Sequence, residues 1–449
     1  MKKFLFIVLI FCVSCSSFES QKMKIKLVVL DPGHFHAALV QKSMYENVDT
    51  VVHVYAPASE DIKNYIDKVN AYNSRKENPT SWQEEVYVGN DFLEKMLEEK
   101  TGNVVVLAGN NRRKTEYISK SLQHGFNVLA DKPMAINSEG FKLLKKSFDE
   151  AKKNNLLLYD IMTERFEITT MLQKEFASMP EVFGELEKGT LENPAVVMNS
   201  VHYFYKYVSG NVLKRPAWYM DVTQQGEGIV DVTTHLVDLV QWECFPEQII
   251  DYTKDIEMQS AKRWATNMSL SEFKAITQLD SFPKYYQNSL IDNNILPVYC
   301  NGEINYRIKN VYAKVTALWN YKADAGGDEH YSLLRGTKAN LEIKQSVLQN
   351  FQPTLYIKPI SENESEQPLF DALKKIQEKY KGVDLKKVAN GWEVIIPSEY
   401  KEGHEAHFAR VTQNFLEYLQ NRNMPAWEVP NMLAKYYTTT KALELAKKN

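Results

Sequence analysis

The chain has 449 residues, of which 44% are hydrophobic and 25% charged, and its formal net charge is −3. These values predict two or three globular domains and exclude a largely disordered chain. No basic block stands out, so no nucleic-acid partner is expected.

Residues 1–22 read as a leader rather than as part of the fold. Lys2 and Lys3 precede an apolar run over residues 4–13, then Ser14-Cys15-Ser16-Ser17. A short positive region before a short apolar region is the pattern of a secretory signal, and the run is too short to span a bilayer as a helix. Cys15 stands where a bacterial lipoprotein signal carries its lipidated cysteine, although Cys12 stands where such signals usually carry leucine. The expectation is an exported lipoprotein, periplasmic or at the outer-membrane surface, tethered by an N-terminal lipid. The alternative is cleavage without lipid. Cys244 and Cys300 could pair in an oxidising compartment, but two lone cysteines in a large domain are more often simply buried.

After the leader, strands and helices alternate. Residues 25–30 (IKLVVL), 50–56 (TVVHVYA), 104–108 (VVVLA), 127–130 and 156–160 read as buried strands. Helical stretches fall at 37–45, 91–99, 113–123 and 140–154. Continuous apolar strands between helices predict a parallel sheet covered on both faces, a doubly wound Rossmann-like α/β domain over residues 23–164. The rest, 165–449, reads as a second, α+β domain. Its longer alternating stretches from 184 to 343, such as VVMNSVHYFY and NVYAKVTALWNY, suit a large, mostly antiparallel open sheet with one wet face. Such a sheet offers a surface for homo-oligomerisation. Residues 405–419 and 431–447 read as helices, and HEAH (residues 404–407) as a helix start, since the zinc-protease pattern needs one more residue between its histidines.

In open α/β sheets ligands bind beyond the carboxyl ends of the strands. Three such ends carry polar clusters: Asp31-Pro32-Gly33-His34-Phe35-His36, Gly109-Asn110-Asn111 and Asp131-Lys132-Pro133. Pro133 biases Lys132 towards an extended backbone, so the lysine projects at a defined place. Further on, GEGIVDVTTHLVDLVQW predicts a helix from Asp231, with Asp231, His235 and Asp238 on one face. A carboxylate one turn before an imidazole can orient it and tune it for proton transfer. His202 to Asp221 mixes aromatics with Lys206, Lys214 and Arg215, which suits a sugar ring and its hydroxyls; a cross-strand aromatic ladder with a basic loop explains it equally well.

With these motifs in view, the chain resembles the glucose–fructose oxidoreductase, inositol dehydrogenase and MocA (Gfo/Idh/MocA) family of sugar oxidoreductases. GFNVLADKPMA looks like that family's glycine–strand–Glu-Lys-Pro signature, with Asp131 in place of Glu, and RGTKANLEI (residues 335–343) like its Gly-Thr-x-Gly strand. The resemblance implies NAD or NADP as cofactor and a carbohydrate as substrate. It implies that Lys132 holds the substrate hydroxyl near the nicotinamide, that His235 takes the proton and that Asp231 orients it. Asn111 matches an asparagine of the loop after the fourth strand. The dinucleotide loop departs from Gly-x-Gly-x-x-Gly: the three positions are Asp31, Gly33 and His36, and only the middle glycine remains. Gly33, His34, His36, Asn111 and Lys132 are the expected cofactor contacts. His202, Lys206, Arg215 and Asp231 are the expected substrate contacts.

Export is at odds with free nicotinamide nucleotides, so the resemblance points to a retained cofactor and to paired sugar redox or redox-neutral glycoside cleavage. A second reading puts a metal on His34 and His36, with His235, Asp231 and His202 approaching across the crevice, for lyase or hydrolase chemistry. A third makes the chain a non-catalytic carbohydrate-binding lipoprotein.

Overall fold

The computed structural model describes residues 23–208, 211–323, 327–361 and 365–448; the leader and Cys15 lie outside them. The first domain runs β1 Leu27–Leu30, α1 His36–Val40, β2 Val51–Ala56, α2 Glu60–Ser74, β3 Gln83–Val88, α3 Phe92–Glu99, β4 Val104–Leu107, α4 Lys114–Gln123, β5 Asn127–Asp131, α5 Ser138–Lys153 and β6 Leu158–Ile161. Its six strands are all parallel in the order β3-β2-β1-β4-β5-β6. That is the doubly wound dinucleotide-binding order. Helices on both faces bury β1, β4, β5 and β6 at every residue, which is why β1 and β4 are continuous apolar runs and β5 and β6 are apolar apart from Asn127, Asp131 and Asp160.

Two elements escaped the sequence pattern. The edge strand β3 (QEEVYV) is mostly exposed and correspondingly polar. Helix α2 has only three fully buried residues, Ile62, Tyr65 and Val69. The helix expected over 37–45 stops at Val40. Gln41 and Lys42 close it with hydrogen bonds three residues back, and the Trp82 indole takes the Gln41 carbonyl at 2.7 Å that another helical turn would need.

The second domain begins with α6 Ile168–Ala177 and β7 Val196–Tyr205, then the small hairpin β8 Tyr207–Val208 and β9 Asn211–Val212, then α7 Thr233–Cys244, β10 Ile256–Ser269 and α8 Leu270–Thr277. It continues through β11 Ile295–Ile308, β12 Val311–Lys322, β13 Glu329–Arg335, β14 Ala339–Gln345, β15 Thr354–Pro359, α9 Gln367–Lys379, β16 Asp384–Val388 and β17 Gly391–Ile395. Nine of these strands form one sheet, β10-β11-β12-β7-β13-β14-β15-β17-β16, antiparallel except where β12 meets β7. Helices α6, α7 and α9 pack their apolar sides into the core on one face of this sheet. Cys244 and Cys300 are both free thiols.

The last two helices, α10 His404–Asn421 and α11 Glu428–Ala446, bind the domains together. Phe408, Val411 and Phe415 of α10 belong to the first domain's core, although they come from the end of the chain. Lys435 of α11, fully buried, bridges Asp160 of β6 at 2.7 Å and Asp238 of α7 at 2.8 Å. Arg165 adds bonds to Asp238 (2.7 Å) and Glu428 (3.1 Å). Asp238 is therefore a structural anchor and does not share a site with His235.

Candidate active site

The carboxyl ends of β1, β4 and β5, three adjacent strands, face α7, β7 and β13 of the second domain. Between them lies a cavity of about 470 Å³, within the usual size range of small-molecule sites. It is lined by all the expected catalytic, cofactor and substrate residues except Gly33: His34, His36, Asn111, Lys132, His202, Lys206, Arg215, Asp231 and His235.

Lys132 follows β5 directly and joins Pro133 through a cis peptide. Its Nζ donates to Asp231 Oδ1 at 2.7 Å, and both side chains are nearly buried. Burial alone would push the ammonium pKa down, but the charges of Asp231 and Asp131 outweigh it and the pKa stands above its ordinary value. Asp231 lies just before α7 rather than inside it, and its second oxygen accepts from Gln225 Nε2 at 3.1 Å. The expected Asp231–His235 hydrogen bond is not formed: Asp231 orients the lysine instead. His235, on the first turn of α7, has a buried Nδ1 without a partner. Burial, then the charges of Lys132 and His404, hold its pKa well below that of an ordinary histidine, so the ring is neutral at pH 7.

Asp131 is the residue that sequence reasoning placed in the strand-end cluster without giving it a role. Its backbone oxygen accepts from the buried Lys114 Nζ at 3.0 Å. Its Oδ2 accepts from His36 Nδ1 at 2.9 Å and lies 3.9 Å from His34 Nδ1. The signal was available: Asp131 precedes Lys132, and β1 and β5 flank the same strand. Burial comes first in lowering the pKa of both histidines, joined for His34 by His36 and Lys132 and for His36 by His404 and Lys132.

On the second-domain wall, His202 donates from Nδ1 to Asp328 Oδ2 at 3.1 Å and stacks on Trp319. Lys206 Nζ donates to the same oxygen at 2.7 Å. Burial would raise the Asp328 pKa, but these two partners hold it well below the usual range. Arg215 was expected to bind substrate. It is buried, donates to the carbonyls of Phe204 and Tyr203, and lies over the Tyr219 and Trp319 rings, so its main role is to hold the aromatic wall.

Gly33 faces a different neighbourhood. A Cβ there would stand 3.3 Å from the Trp218 ring and 3.4 Å from Asp61 Oδ2, and Trp218 Nε1 donates to that oxygen at 2.9 Å. Gly109 is equally constrained, since a Cβ would lie 2.2 Å from the Asp31 carbonyl oxygen. The segment around Trp218 is tied down further. Asn111 N donates to Gln224 O (2.9 Å), Asn111 Nδ2 to Gln225 O (2.7 Å) and Asn110 Nδ2 to Gln224 Oε1 (2.6 Å).

A six-stranded Rossmann sheet followed by an open-sheet domain, with lysine and histidine in the crevice between them, defines a two-domain oxidoreductase. A family profile described as "Oxidoreductase family, NAD-binding Rossmann fold" matches residues 29–159, and one described as "Putative oxidoreductase C terminal domain" matches residues 172–447. The chain belongs to the Gfo/Idh/MocA family of oxidoreductases, and its first domain is an NAD(P)-binding Rossmann domain. A crystal structure of a "putative oxidoreductase" from Parabacteroides merdae ATCC 43184 is 54% identical and covers 95% of this chain and 98% of its own, with a TM-score of 0.93. A levoglucosan dehydrogenase in complex with NADH shares the fold at 12% identity, covering 94% of this chain and 97% of its own with a TM-score of 0.60. So does a biliverdin reductase from Synechocystis sp. PCC 6803 with biliverdin and NADP+, at 11% identity, 95% and 100% coverage and a TM-score of 0.58. No curated protein matches the sequence.

The residues fit a dinucleotide unevenly. At the nicotinamide end, His34, Asn111 and Lys132 line an open cavity, and the buried Asn111 Oδ1 is unpartnered. At the phosphate end, the amides of Gly33 and His34 are both given to the Ala108 carbonyl at 3.2 Å, and Trp218 and Asp61 cover the glycine. Burial raises the pKa of Asp31 and of Asp61 above the ordinary carboxylate value. The lining therefore fits the cofactor at the nicotinamide end, while Trp218 and Asp61 stand over Gly33 at the phosphate end.

Proposed function

We propose that the protein oxidises or reduces a sugar or sugar derivative at a CH–OH carbon with a retained NAD or NADP. The observation that carries this is the buried Lys132–Asp231 pair on the same cavity as the neutral His235. Gly33, His34, His36, Asn111 and Lys132 would hold the cofactor. When bound, the nicotinamide would supply the acceptor for the hydride of the carbinol carbon.

The chain's own groups supply the rest. Lys132, charged and fixed by Asp231, donates a hydrogen bond to the reacting oxygen and stabilises the negative charge that grows on it. His235 takes the hydroxyl proton, for which its neutral ring is ready. Trp319 and Tyr219 give the cavity an apolar wall suited to the carbon skeleton of a sugar, and the charged Lys206–Asp328 pair offers polar groups to hydroxyls. Two carboxylates of the cavity rim, Glu164 and Glu167, add acceptors, and burial followed by the charge of Glu164 pushes Glu167 up to about 7.

The neighbours that bind NADH and NADP+ and the sugar-derived substrate in one neighbour's name support this reading by analogy of fold. We further infer export and lipidation at Cys15. The restraint of the Trp218 segment over the phosphate end supports a cofactor that leaves slowly, as an exported enzyme requires. The experiment is a sugar panel offered to protein with added NAD+ or NADP+, following reduced nicotinamide by absorbance. No reduction with any sugar or sugar acid, at concentrations where nucleotide binding is demonstrated, would discard the proposal.

A further inference from the structure

Asp131 Oδ2 lies between two imidazole nitrogens. His36 Nδ1 is 2.9 Å away and already donates to it; His34 Nδ1 is 3.9 Å away, too far for a hydrogen bond. One potential ligand atom from each of the three residues lies within 4.8 Å of the other two. His34 Nδ1 is also among the buried polar atoms without any partner. A buried nitrogen of this kind is costly to leave unsatisfied, and here it stands 3.9 Å from a carboxylate oxygen. A cation shared by the two would satisfy both.

We propose that His34, His36 and Asp131 bind one divalent first-row metal ion of the zinc class, with a remaining coordination position open to the cavity. At bond lengths of about 2.0–2.2 Å, the ligand atoms of a tetrahedral site stand about 3.3 Å apart. The two distances to Asp131 bracket that value, so small side-chain movements complete the set. Two imidazoles and one carboxylate select zinc, cobalt or nickel over magnesium or calcium, which take all-oxygen shells.

The ligands sit on rigid supports. His36 opens α1 and packs against Phe408, and Asp131 ends a wholly buried strand. The nearest ammonium groups do not prevent binding: Lys132 is neutralised by Asp231, and burial has lowered the Lys114 pKa to about 8. The ligand set differs from the one drawn from sequence alone, because His202 is engaged by Asp328 and Ser200. A metal here would present an electrophile to a sugar hydroxyl beside Lys132.

The site goes beyond the nicotinamide reading and can be tested without turnover. Chelator-treated full-length protein is titrated with zinc chloride by calorimetry and with cobalt chloride by visible absorption. Wild type should bind one equivalent of each metal, and cobalt should develop the bands of a nitrogen-ligated low-symmetry site. His34→Ala should weaken zinc binding on the order of 100-fold and abolish those bands, with the melting temperature retained. Asp131→Asn, which keeps the side-chain shape, should do the same and guards against misfolding of the alanine variant. Zinc binding that is substoichiometric in wild type, or equal in wild type and both variants, overturns the proposal. Sugar oxidation that continues in metal-free wild type of that kind would leave the nicotinamide reading standing, whereas stoichiometric zinc with no nucleotide binding would remove that reading and leave this one.

Discussion

Lys132 Nζ donates to Asp231 Oδ1 at 2.7 Å, joining residues 99 positions apart in sequence across the boundary between the two domains. The pair fixes a buried ammonium where strand β5 ends and locks the second domain onto the mouth of the first. Removing the lysine tests both consequences. Lys132→Ala should lower turnover on the order of 100-fold or more through loss of a positioned charge. Unchanged kcat in steady-state assays would exclude Lys132 from the chemistry.

The pH profile follows from the environment of His235. Burial, then the charges of Lys132 and His404, hold its pKa below the ordinary value. A base must be unprotonated, so kcat/KM for oxidation should stay level from pH 8 down through about 6.5, the free-histidine value, and fall only below it. A profile that halves near pH 6.5 or above and loses this limb in His235→Asn would show an unshifted base.

Trp218 and its bond to Asp61 cover Gly33. Trp218→Ala should open the phosphate end and speed nucleotide association and release by about tenfold, a barrier change of about 1.4 kcal/mol. Stopped-flow nucleotide fluorescence measures both rates. Rates equal to wild type would mean that the segment does not restrain the cofactor.

The network around Lys435 should dominate stability at the domain junction. Lys435→Met leaves Asp160 and Asp238 facing each other without their shared cation. The expected loss is about 3–5 kcal/mol in denaturant unfolding. A loss below about 1 kcal/mol would show that the two carboxylates accommodate the change by taking up a proton or water.

Lipidation is tested by fractionation. Cys15→Ser should move the protein from membranes to the soluble fraction, because acyl chains anchor by burying methylene groups at about 0.8 kcal/mol each. Wild-type protein found wholly soluble with an unmodified N-terminus would end the anchor proposal.

Much of the first domain could be read from sequence because burial on both faces leaves a simple trace. β1 and β4 are apolar without interruption, and β5 and β6 are apolar apart from Asn127, Asp131 and Asp160. β3 was illegible for the opposite reason, as an exposed edge strand carries little hydrophobic pattern. At the site, Lys132, Asp231 and His235 were legible as motif residues, but their bonding was not. Local spacing suggested that Asp231 serves His235, whereas the tertiary contact gives it to Lys132. The same limit hid the role of Asp131: His34 and His36 are visible as a pair, but only the order of β1, β4 and β5 brings the carboxylate to them.

The most direct measurement of the central claim is mass spectrometry of the nucleotide released on denaturing natively purified wild-type protein, followed by calorimetric rebinding to wild type and Lys132→Ala. The account predicts NAD or NADP released in near-equimolar amount, or bound by empty wild type as one equivalent, with weaker binding in the variant. Absence of any released nucleotide, together with no calorimetric binding of either form by wild type, would contradict it.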